Sequence, residues 1–171
     1  SRSRGSKDQA PDAAGLRAEA PATAEGALPL WHSPLPLVQV NYNEAIGTHL
    51  KSLLAAARLS VRLVCYTFDD YFSKELTALL LRFGRAGHGH SVRILVDSSQ
   101  ALKPSCLKTR RMLAQMSIWG AQIRTATGRT VDRCGLLHEK TWLLDDAVFV
   151  VGSANATHNS MELCREVMLT V

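Results

Sequence analysis

The stretch LLHEKTWLLDDAVFVVGSANAT, from Leu136 to Thr157, decides the fold of the chain around it. It contains two short runs rich in β-branched and aromatic residues, TWLL and AVFVV, separated by the turn-forming pair Asp145 and Asp146. We therefore predict a β-hairpin with a two-residue turn. Its open end carries polar residues, namely His138, Lys140, Gly152, Ser153 and Asn155.

The two-residue turn fixes a register in which Lys140 faces Val151 and His138 faces Ser153. Because side chains alternate along a strand, His138, Lys140 and Ser153 would share one face of the hairpin. Asn155 joins them if the strand continues. An imidazole, an ammonium group, a hydroxyl and a carboxamide would then meet at one end, whereas a slip of one residue would separate them.

Such a set of side chains suits a phosphodiester. A histidine can attack phosphorus or transfer a proton near neutral pH. A lysine and an asparagine can hold the non-bridging oxygens as negative charge accumulates on them. No cluster of carboxylates accompanies these residues, so the sequence does not indicate a magnesium or calcium site. We expect neither a metal nor another cofactor.

The spacing of these residues resembles the HKD motif of the phospholipase D superfamily: His138-x-Lys140, four residues, Asp145, six residues, Gly152-Ser153-x-Asn155. The resemblance continues upstream in SVRLVCYTFDD and VRILVD and downstream in CREVMLTV, and it covers about Val38 to Val171. The chain is most similar to the subgroup with a single motif: bacterial Nuc-type endonucleases, mitochondrial cardiolipin hydrolase and the Zucchini endonuclease.

The resemblance implies a role for each matching position. His138 would be the nucleophile that forms a phosphohistidine. Lys140 and Asn155 would bind the phosphate, with Ser153 beside them. Glu166, in the last strand, would accept a hydrogen bond from the His138 ring and set its tautomer.

Asp145 gives the motif its third letter, but the predicted hairpin places it at the turn, far from His138. We therefore expect a structural role for it. Taken singly, a histidine or lysine at a strand end is usually a solvated residue, and Ser-x-Asn is usually part of a turn. As one spaced set the residues favour a phosphodiesterase, with an inactive copy of such a site as the alternative.

Catalysis in the family uses two copies of the motif, and this chain has one. The resemblance therefore implies a homodimer, paired through the HKD face about a two-fold axis. Relatives also carry a closing helix after the last strand. This sequence ends at Val171 within that strand, so we expect a C-terminally truncated domain.

Strand-like and helical patterns alternate along the chain. Strands are predicted at 37–40, 60–67, 92–97, 122–124 and 166–171 and in the hairpin. Amphipathic helices are predicted at 43–59, 72–83 and 104–119, the last ending at Gly120. The pattern predicts an α/β fold, with a mixed β-sheet flanked by helices on both faces.

The first 30 residues lack a hydrophobic period and are rich in Ala, Gly, Ser and Pro. We predict a disordered segment 1–30 followed by one phospholipase D-like domain, 31–171. The chain has 171 residues and 46% hydrophobic content, enough to bury one core. No apolar run reaches about 18 residues, so no transmembrane helix is expected.

Positive charge is concentrated ahead of His138. From Ser99 to Arg133, seven basic residues accompany one acid, Asp132, which gives +6, while the whole chain carries +5. The seven are Lys103, Lys108, Arg110, Arg111, Arg124, Arg129 and Arg133. This basic window fits a polyanion, and its first four members are the candidates for substrate binding. A solvated helix face is the alternative.

Two substrate classes remain open, an anionic phospholipid and single-stranded nucleic acid. The only aromatic residue in the basic window is Trp119, and its helical spacing indicates the core rather than base stacking. This slightly favours a cardiolipin-type phospholipase D over an endonuclease acting on RNA or DNA. A non-catalytic, phosphate-binding dimeric scaffold is the third alternative. The resemblance also implies an intracellular protein, with the mitochondrial surface as one location.

Overall fold

The computed structural model describes residues 37–86, 91–102, 104–128 and 135–171. The predicted N-terminal segment 1–30 lies outside the described residues. So do three members of the basic window, Lys103, Arg129 and Arg133.

The described residues contain seven strands and four α-helices. The strands are β1 (Gln39–Tyr42), β2 (Ser60–Cys65), β3 (Ser91–Asp97), β4 (Gln122–Ala126), β5 (Thr141–Leu144), β6 (Val148–Gly152) and β7 (Val167–Thr170). The helices are α1 (Glu44–Ala56), α2 (Ser73–Ala86), α3 (Ser98–Leu102) and α4 (Leu107–Ile118). A 3₁₀ turn, Asp70–Phe72, and a π-helical turn, Asn159–Leu163, have no counterpart in the sequence prediction.

All seven strands form one mixed sheet in the order β1-β7-β6-β5-β2-β3-β4. Strands β2, β3 and β4 are parallel, and the other neighbouring pairs are antiparallel. Parallel neighbours need long crossovers, which α2 supplies between β2 and β3 and the pair α3 and α4 supplies between β3 and β4. The predicted α/β fold with a mixed sheet is confirmed.

The helices α1, α2 and α4 pack on one face of this sheet, because α2 contacts both of the others. The steps β2–β3 and β3–β4 run in the same direction, so right-handed crossovers place their helices on the same side. That face holds the core, which includes Leu63, Trp142 and Val150. The three longer helices therefore share this face of the sheet.

The opposite face of the sheet has a different composition. Arg93 of β3 and Arg124 of β4 are exposed on it, and Phe149 and Leu169 are partly exposed on β6 and β7. Arg124 therefore does not share a surface with α4. The described members of the basic window are therefore divided between α4, which carries Lys108, Arg110 and Arg111, and the sheet face that carries Arg124.

The hairpin register differs by one residue from the prediction. Thr141, rather than Lys140, pairs with Val151, and Leu144 pairs with Val148. The loop thus has three residues, beginning with Asp145 and Asp146, whose φ angles of 54° and 57° are both left-handed. As a result Lys140 shares its face with Trp142 and Val150, while Val151 lies on the other face.

The basic stretch forms two helices where one was predicted. α3 follows β3 without a break, and a turn at Pro104 and Ser105 separates it from α4. α4 ends before Gly120, which adopts a left-handed φ of 98°, so the predicted helix stop is confirmed. Trp119 is 41% exposed, and its predicted place in the core is wrong.

The Asp145 carboxylate links the hairpin turn to the start of β2. It accepts hydrogen bonds from the backbone amides of Arg58 (2.7 Å), Leu59 (2.7 Å) and Ser60 (2.9 Å). Burial opposes its ionisation, but these amides and the nearby Arg82 charge lower the pKa of Asp145 overall. The turn lies at the edge of the sheet opposite to His138, separated from it by the length of β5.

Replacing Asp145 with Asn keeps the size of the residue and its tolerance of a left-handed φ, but removes the charge. We expect the Asp145→Asn variant to lose about 1–3 kcal/mol of unfolding free energy at pH 7, since the amides lose a charged acceptor. The carboxylate stabilises the fold above its ordinary pKa near 4 and stops doing so as the pH falls through the lowered value. In urea denaturation, the unfolding free energy of Asp145→Asn should therefore be lower than that of the wild type at pH 7, and this difference should become smaller in acid.

The neighbouring Asp146 provides the matched control. It has the same backbone conformation, and its ion pair with Arg62 (2.8 Å) is largely exposed. Asp146→Asn should cost less than about 1 kcal/mol. An equal loss in the two variants, or a folded Asp145→Asn protein without hydrolytic activity, would contradict the structural role of Asp145.

Candidate active site

The candidate site lies at one edge of the sheet because of the strand directions. The carboxyl ends of the parallel strands β2 and β3 meet there. β5 runs antiparallel to β2, with Thr141 opposite Val64, so β5 begins at the same edge. β6 ends and β7 begins there too, with Gly152 opposite Met168. The segments before β5, after β2 and after β6 are thereby brought together.

His138 lies three residues before β5, with an exposed side chain. The preceding residue, Leu137, donates its backbone amide to the Asp97 carboxylate at 2.7 Å. The imidazole packs against the Tyr66 ring, with centroids 5.1 Å apart and planes inclined at 55°. One side of His138 is thus held while the rest faces solvent, as a nucleophile requires.

Asp97 is the buried anchor of this arrangement. It ends β3, and only 1% of it is exposed. Besides the Leu137 amide, its carboxylate accepts the backbone amide of Ser99 at 2.8 Å. A buried carboxylate must be satisfied by donors in this way. The sequence analysis missed Asp97, although an acid at the end of the apolar strand VRILVD was an available signal.

Lys140 is only 4% exposed, and its Nζ donates to the backbone carbonyl of His138 at 2.7 Å. Burial lowers the pKa of Lys140, while the negative charge of Glu166 and the nearby Cys65 thiol oppose that shift. The ammonium group also lies 5.8 Å from the Tyr66 ring centroid. A desolvated ammonium group held this way is suited to stabilising negative charge on a phosphate.

Asn155 follows β6, and its Oδ1 lies 3.5 Å from the backbone amide of Thr67. Two hydrogen bonds fix the residues that follow. The Asp69 amide donates to the Ala156 carbonyl, and the His158 amide donates to the Asp69 carboxylate. Asn155 therefore lies beside the residues that follow β2, the first of which is Tyr66. Asp69 was not singled out by the sequence analysis.

Ser153 and Glu166 bond to each other. The Ser153 hydroxyl donates to the Glu166 carboxylate and accepts the Val167 amide at 3.1 Å. We expected Glu166 to accept a hydrogen bond from the His138 ring, but in the structure its carboxylate accepts one from Ser153. Ser153 lies next to Glu166 because Gly152, the last residue of β6, pairs with Met168. A Cβ at Gly152 would lie 2.1 Å from the Val167 carbonyl oxygen, so only glycine permits this approach.

Tyr66 is a second residue of the site that the sequence analysis missed. Its hydroxyl accepts a hydrogen bond from Gln100 Nε2 at 2.8 Å, and Cys106 donates to the same carboxamide. Gln100 lies on α3 and Cys106 precedes α4. The Tyr66 ring thus connects His138 to the two helices of the basic window.

Among the predicted substrate-binding cations, Lys108, Arg110 and Arg111 are exposed on the first turns of α4. The start of this helix is fixed at the edge of the sheet that carries His138, since the Thr109 hydroxyl donates to the Phe68 carbonyl at 2.6 Å. The start of α4, which carries these three cations, therefore lies at the same end of the sheet as His138, and their role in substrate binding stays a prediction. Lys103 lies outside the described residues.

Within the described ranges, no group of three or more His, Cys, Asp and Glu side chains is arranged to hold a metal ion. Nor does any described helix have both the length and the apolar character needed to cross a membrane. The expectation of a reaction without metal stays a prediction.

The geometry agrees with a family assignment. Residues 50–171 match the family described as cardiolipin synthase, PLD-like domain, which is most of the chain. The chain therefore belongs to the phospholipase D superfamily, as the HKD spacing predicted. Its class is that of a phosphodiesterase.

Solved structures share the fold at low sequence identity. A phospholipase D family member, Nuc from Salmonella typhimurium, is 21% identical with a TM-score of 0.64, over 78% of this chain and 81% of that one. NucT from Helicobacter pylori is 18% identical with a TM-score of 0.60, over 78% and 85%. The phosphatidylserine synthase of Haemophilus influenzae is 15% identical with a TM-score of 0.58, over 80% and 35%. No curated protein sequence matches the chain.

The contact between Tyr66 and His138 leads to a test of ring packing. Packing against the Tyr66 ring limits the orientations open to the His138 imidazole. In Tyr66→Leu we expect hydrolysis to fall about tenfold or more, since the imidazole loses the surface that orients it toward the substrate. Tyr66→Phe keeps the ring and should stay within about threefold of wild type.

The partly exposed Phe149, beside the hairpin turn on β6, gives the matched control, since Phe149→Leu removes a ring at the end of the sheet opposite to His138. Melting temperatures measured alongside the rates separate positioning from folding. Equal losses in Tyr66→Phe and Tyr66→Leu would assign the effect to the hydroxyl and its bond with Gln100 rather than to the ring.

Proposed function

We propose that the protein hydrolyses a phosphodiester through a phosphohistidine on His138, without a metal. The observation that carries this proposal is the pairing of an exposed imidazole with a buried ammonium group. His138 is open to solvent on a main chain held by Asp97, and the buried Lys140 donates its Nζ to the His138 carbonyl. A nucleophile and a charge-stabilising group are thereby fixed within one short segment.

The reaction has two displacements. A ring nitrogen of His138 attacks phosphorus in line, a P–N bond forms, and the P–O bond to the leaving group breaks. The leaving oxygen takes a proton from a second imidazole. Water then attacks the phosphohistidine, gives a proton back to that second imidazole, and the P–N bond breaks. Lys140 and Asn155 hold the non-bridging oxygens in both steps.

The second imidazole comes from a second subunit in this proposal. One ring cannot lie on both sides of phosphorus, and a single chain holds one HKD motif. Two copies that face each other across a two-fold axis through the HKD face supply both groups. The exposure of His138 at the edge of the sheet supports this arrangement, since the ring is accessible to a partner.

A cardiolipin-type phospholipase D is the first candidate for the finer function. The matching family carries the description cardiolipin synthase, and a fold relative is a phosphatidylserine synthase, so lipid phosphodiesters are substrates of the fold. A cellular membrane, such as the mitochondrial surface, would then be its place of action.

An endonuclease acting on single strands is the second candidate. The specific observation in its favour is the partly exposed Trp119, which follows α4 and lies about 12–17 Å along the helix axis from Arg111 and Lys108. A strand bound to Lys108 and Arg111 could stack a base on the Trp119 ring. The non-catalytic scaffold is the outcome if no phosphodiester is hydrolysed.

The nucleophile is tested with bis(p-nitrophenyl) phosphate, single-stranded RNA, single-stranded DNA and cardiolipin vesicles, each with and without chelator. His138→Asn should abolish turnover of every substrate that the wild type hydrolyses, because no P–N bond can form. Loss of general acid–base catalysis alone would leave a rate reduced about 10²–10⁴-fold. Saturating chelator should leave the wild-type rate unchanged.

His158→Asn is the matched control, since His158 is exposed at the same edge, where its backbone amide donates to Asp69 and its ring packs against Tyr71. It should hydrolyse at the wild-type rate. Activity retained in His138→Asn would refute the nucleophile, and activity lost in chelator but restored by a divalent ion would refute the metal-free reaction.

The paired site is tested by subunit mixing. When inactive His138→Asn chains in excess exchange with wild-type chains, most wild-type chains become part of mixed dimers that hold one His138. Activity per wild-type chain should therefore fall steeply as the excess grows. Exchange is followed independently by energy transfer between labelled chains. Constant activity despite confirmed exchange would show that each chain works alone.

A further inference from the structure

Exposed leucines lie next to the candidate site on the flank formed by α3 and α4. Leu102 ends α3 and is 66% exposed, Leu107 begins α4 and is 47% exposed, and Leu136 stands two residues before His138 and is 48% exposed. Single exposed leucines are common on protein surfaces. Three of them on the segments beside His138 are more than scattered single residues and indicate a contact surface.

The three leucines belong to segments that are joined to one another. Asp97 binds the amide of Leu137, immediately after Leu136, and α3 begins directly after Asp97. Across the following turn, Cys106 bonds to Gln100 of α3 at 3.3 Å. The end of α3, the start of α4 and the approach to His138 are therefore one flank of the site.

The charge of this flank has one sign. Lys108, Arg110 and Arg111 are exposed directly after Leu107, and the sequence from Ser98 to Ile118 contains no Asp or Glu. The other flank differs. Its exposed leucine, Leu163, follows the exposed acid Glu162. Of these two flanks, the α3–α4 flank combines exposed leucines with exposed cations that form no ion pair with any described acid.

We propose that this flank inserts into the interface of an anionic phospholipid bilayer and thereby presents a lipid phosphodiester to His138. The surface, called the leucine rim, consists of Leu102, Leu107 and Leu136, with the cations Lys108, Arg110 and Arg111 around them. Binding to the bilayer rests on the rim alone. Delivery of a substrate to His138 rests on the proposed function.

The leucines distinguish a bilayer from a nucleic acid. A polynucleotide attracts the three cations through its phosphates, but offers exposed leucine side chains no apolar environment. A bilayer interface binds both groups, since apolar side chains enter the boundary between headgroups and acyl chains while cations pair with anionic headgroups. Bilayer binding of this kind needs no spanning helix.

The experiment measures co-sedimentation with large vesicles of phosphatidylcholine containing about 30% cardiolipin, with pure phosphatidylcholine vesicles as the neutral comparison. The variant Leu102→Ser/Leu107→Ser should bind about tenfold less tightly, because it lacks two leucine side chains that enter the bilayer when the wild type binds. The matched control is Leu59→Ser/Leu81→Ser, whose leucines are exposed away from the site, before β2 and on α2. It should bind like the wild type.

Charge and catalysis are measured in parallel. Lys108→Glu/Arg111→Glu should also weaken vesicle binding and reduce its dependence on salt. Hydrolysis of water-soluble bis(p-nitrophenyl) phosphate should be unchanged in Leu102→Ser/Leu107→Ser, since neither leucine belongs to the catalytic set. His138→Asn should bind vesicles as well as the wild type, so failure of the proposed chemistry leaves this binding result intact.

Two outcomes would overturn the leucine rim. One is equal vesicle binding by Leu102→Ser/Leu107→Ser and the wild type. The other is tight binding of a fluorescent single-stranded oligonucleotide that depends on Lys108 and Arg111, without binding to cardiolipin vesicles. That second outcome would assign the same flank to nucleic acid.

Discussion

The hydrogen bond from the Leu137 amide to the buried Asp97 carboxylate is the constraint on which the site depends. The chain reaches His138 from residues that belong to no strand, so the sheet does not fix its path there. Asp97, at the end of the parallel strand β3, fixes the chain before His138 by accepting the Leu137 amide. The same carboxylate holds Ser99 at the start of α3, so a single buried charge positions both the reactive histidine and the helix beside it. A charge this deeply buried is stable only with all its donors in place.

The sheet gathers functional groups at one edge and structural ones at the other. Tyr66, Asp97, Lys140 and Asn155 stand at the edge where β2, β3 and β6 end and β5 begins, whereas Asp145 joins the hairpin to β2 at the far edge. The HKD motif thus describes residues with two different tasks. In the proposed reaction His138 and Lys140 act on the phosphate, whereas Asp145 joins the hairpin turn to the start of β2.

Hydrophobic periodicity was sufficient to predict the strands and the mixed sheet, because alternation and amphipathic stripes are properties of local sequence. The hairpin register was not predictable in this way. It depends on left-handed conformations at Asp145 and Asp146 and on amides more than eighty residues away in sequence, at Arg58 and Leu59. The motif spacing predicted that His138, Lys140 and Asn155 lie at one end of the hairpin, and this placement does not depend on the register, which was wrong. Tyr66 and Asp97 were missed because their roles arise from contacts between distant segments, and the helices share one face because of crossover handedness, which periodicity does not report.

The central claim is that His138 carries the phosphoryl group during turnover, and the direct measurement is detection of that adduct. A reaction with a slow phosphodiester substrate, quenched in alkali, would be digested and examined by mass spectrometry, since phosphohistidine survives base and decomposes in acid. The account predicts a phosphorylated peptide containing His138 that appears within the first turnover and is absent from His138→Asn. Hydrolysis that proceeds at full rate without any such adduct, under conditions in which added phosphohistidine standards survive, would contradict it.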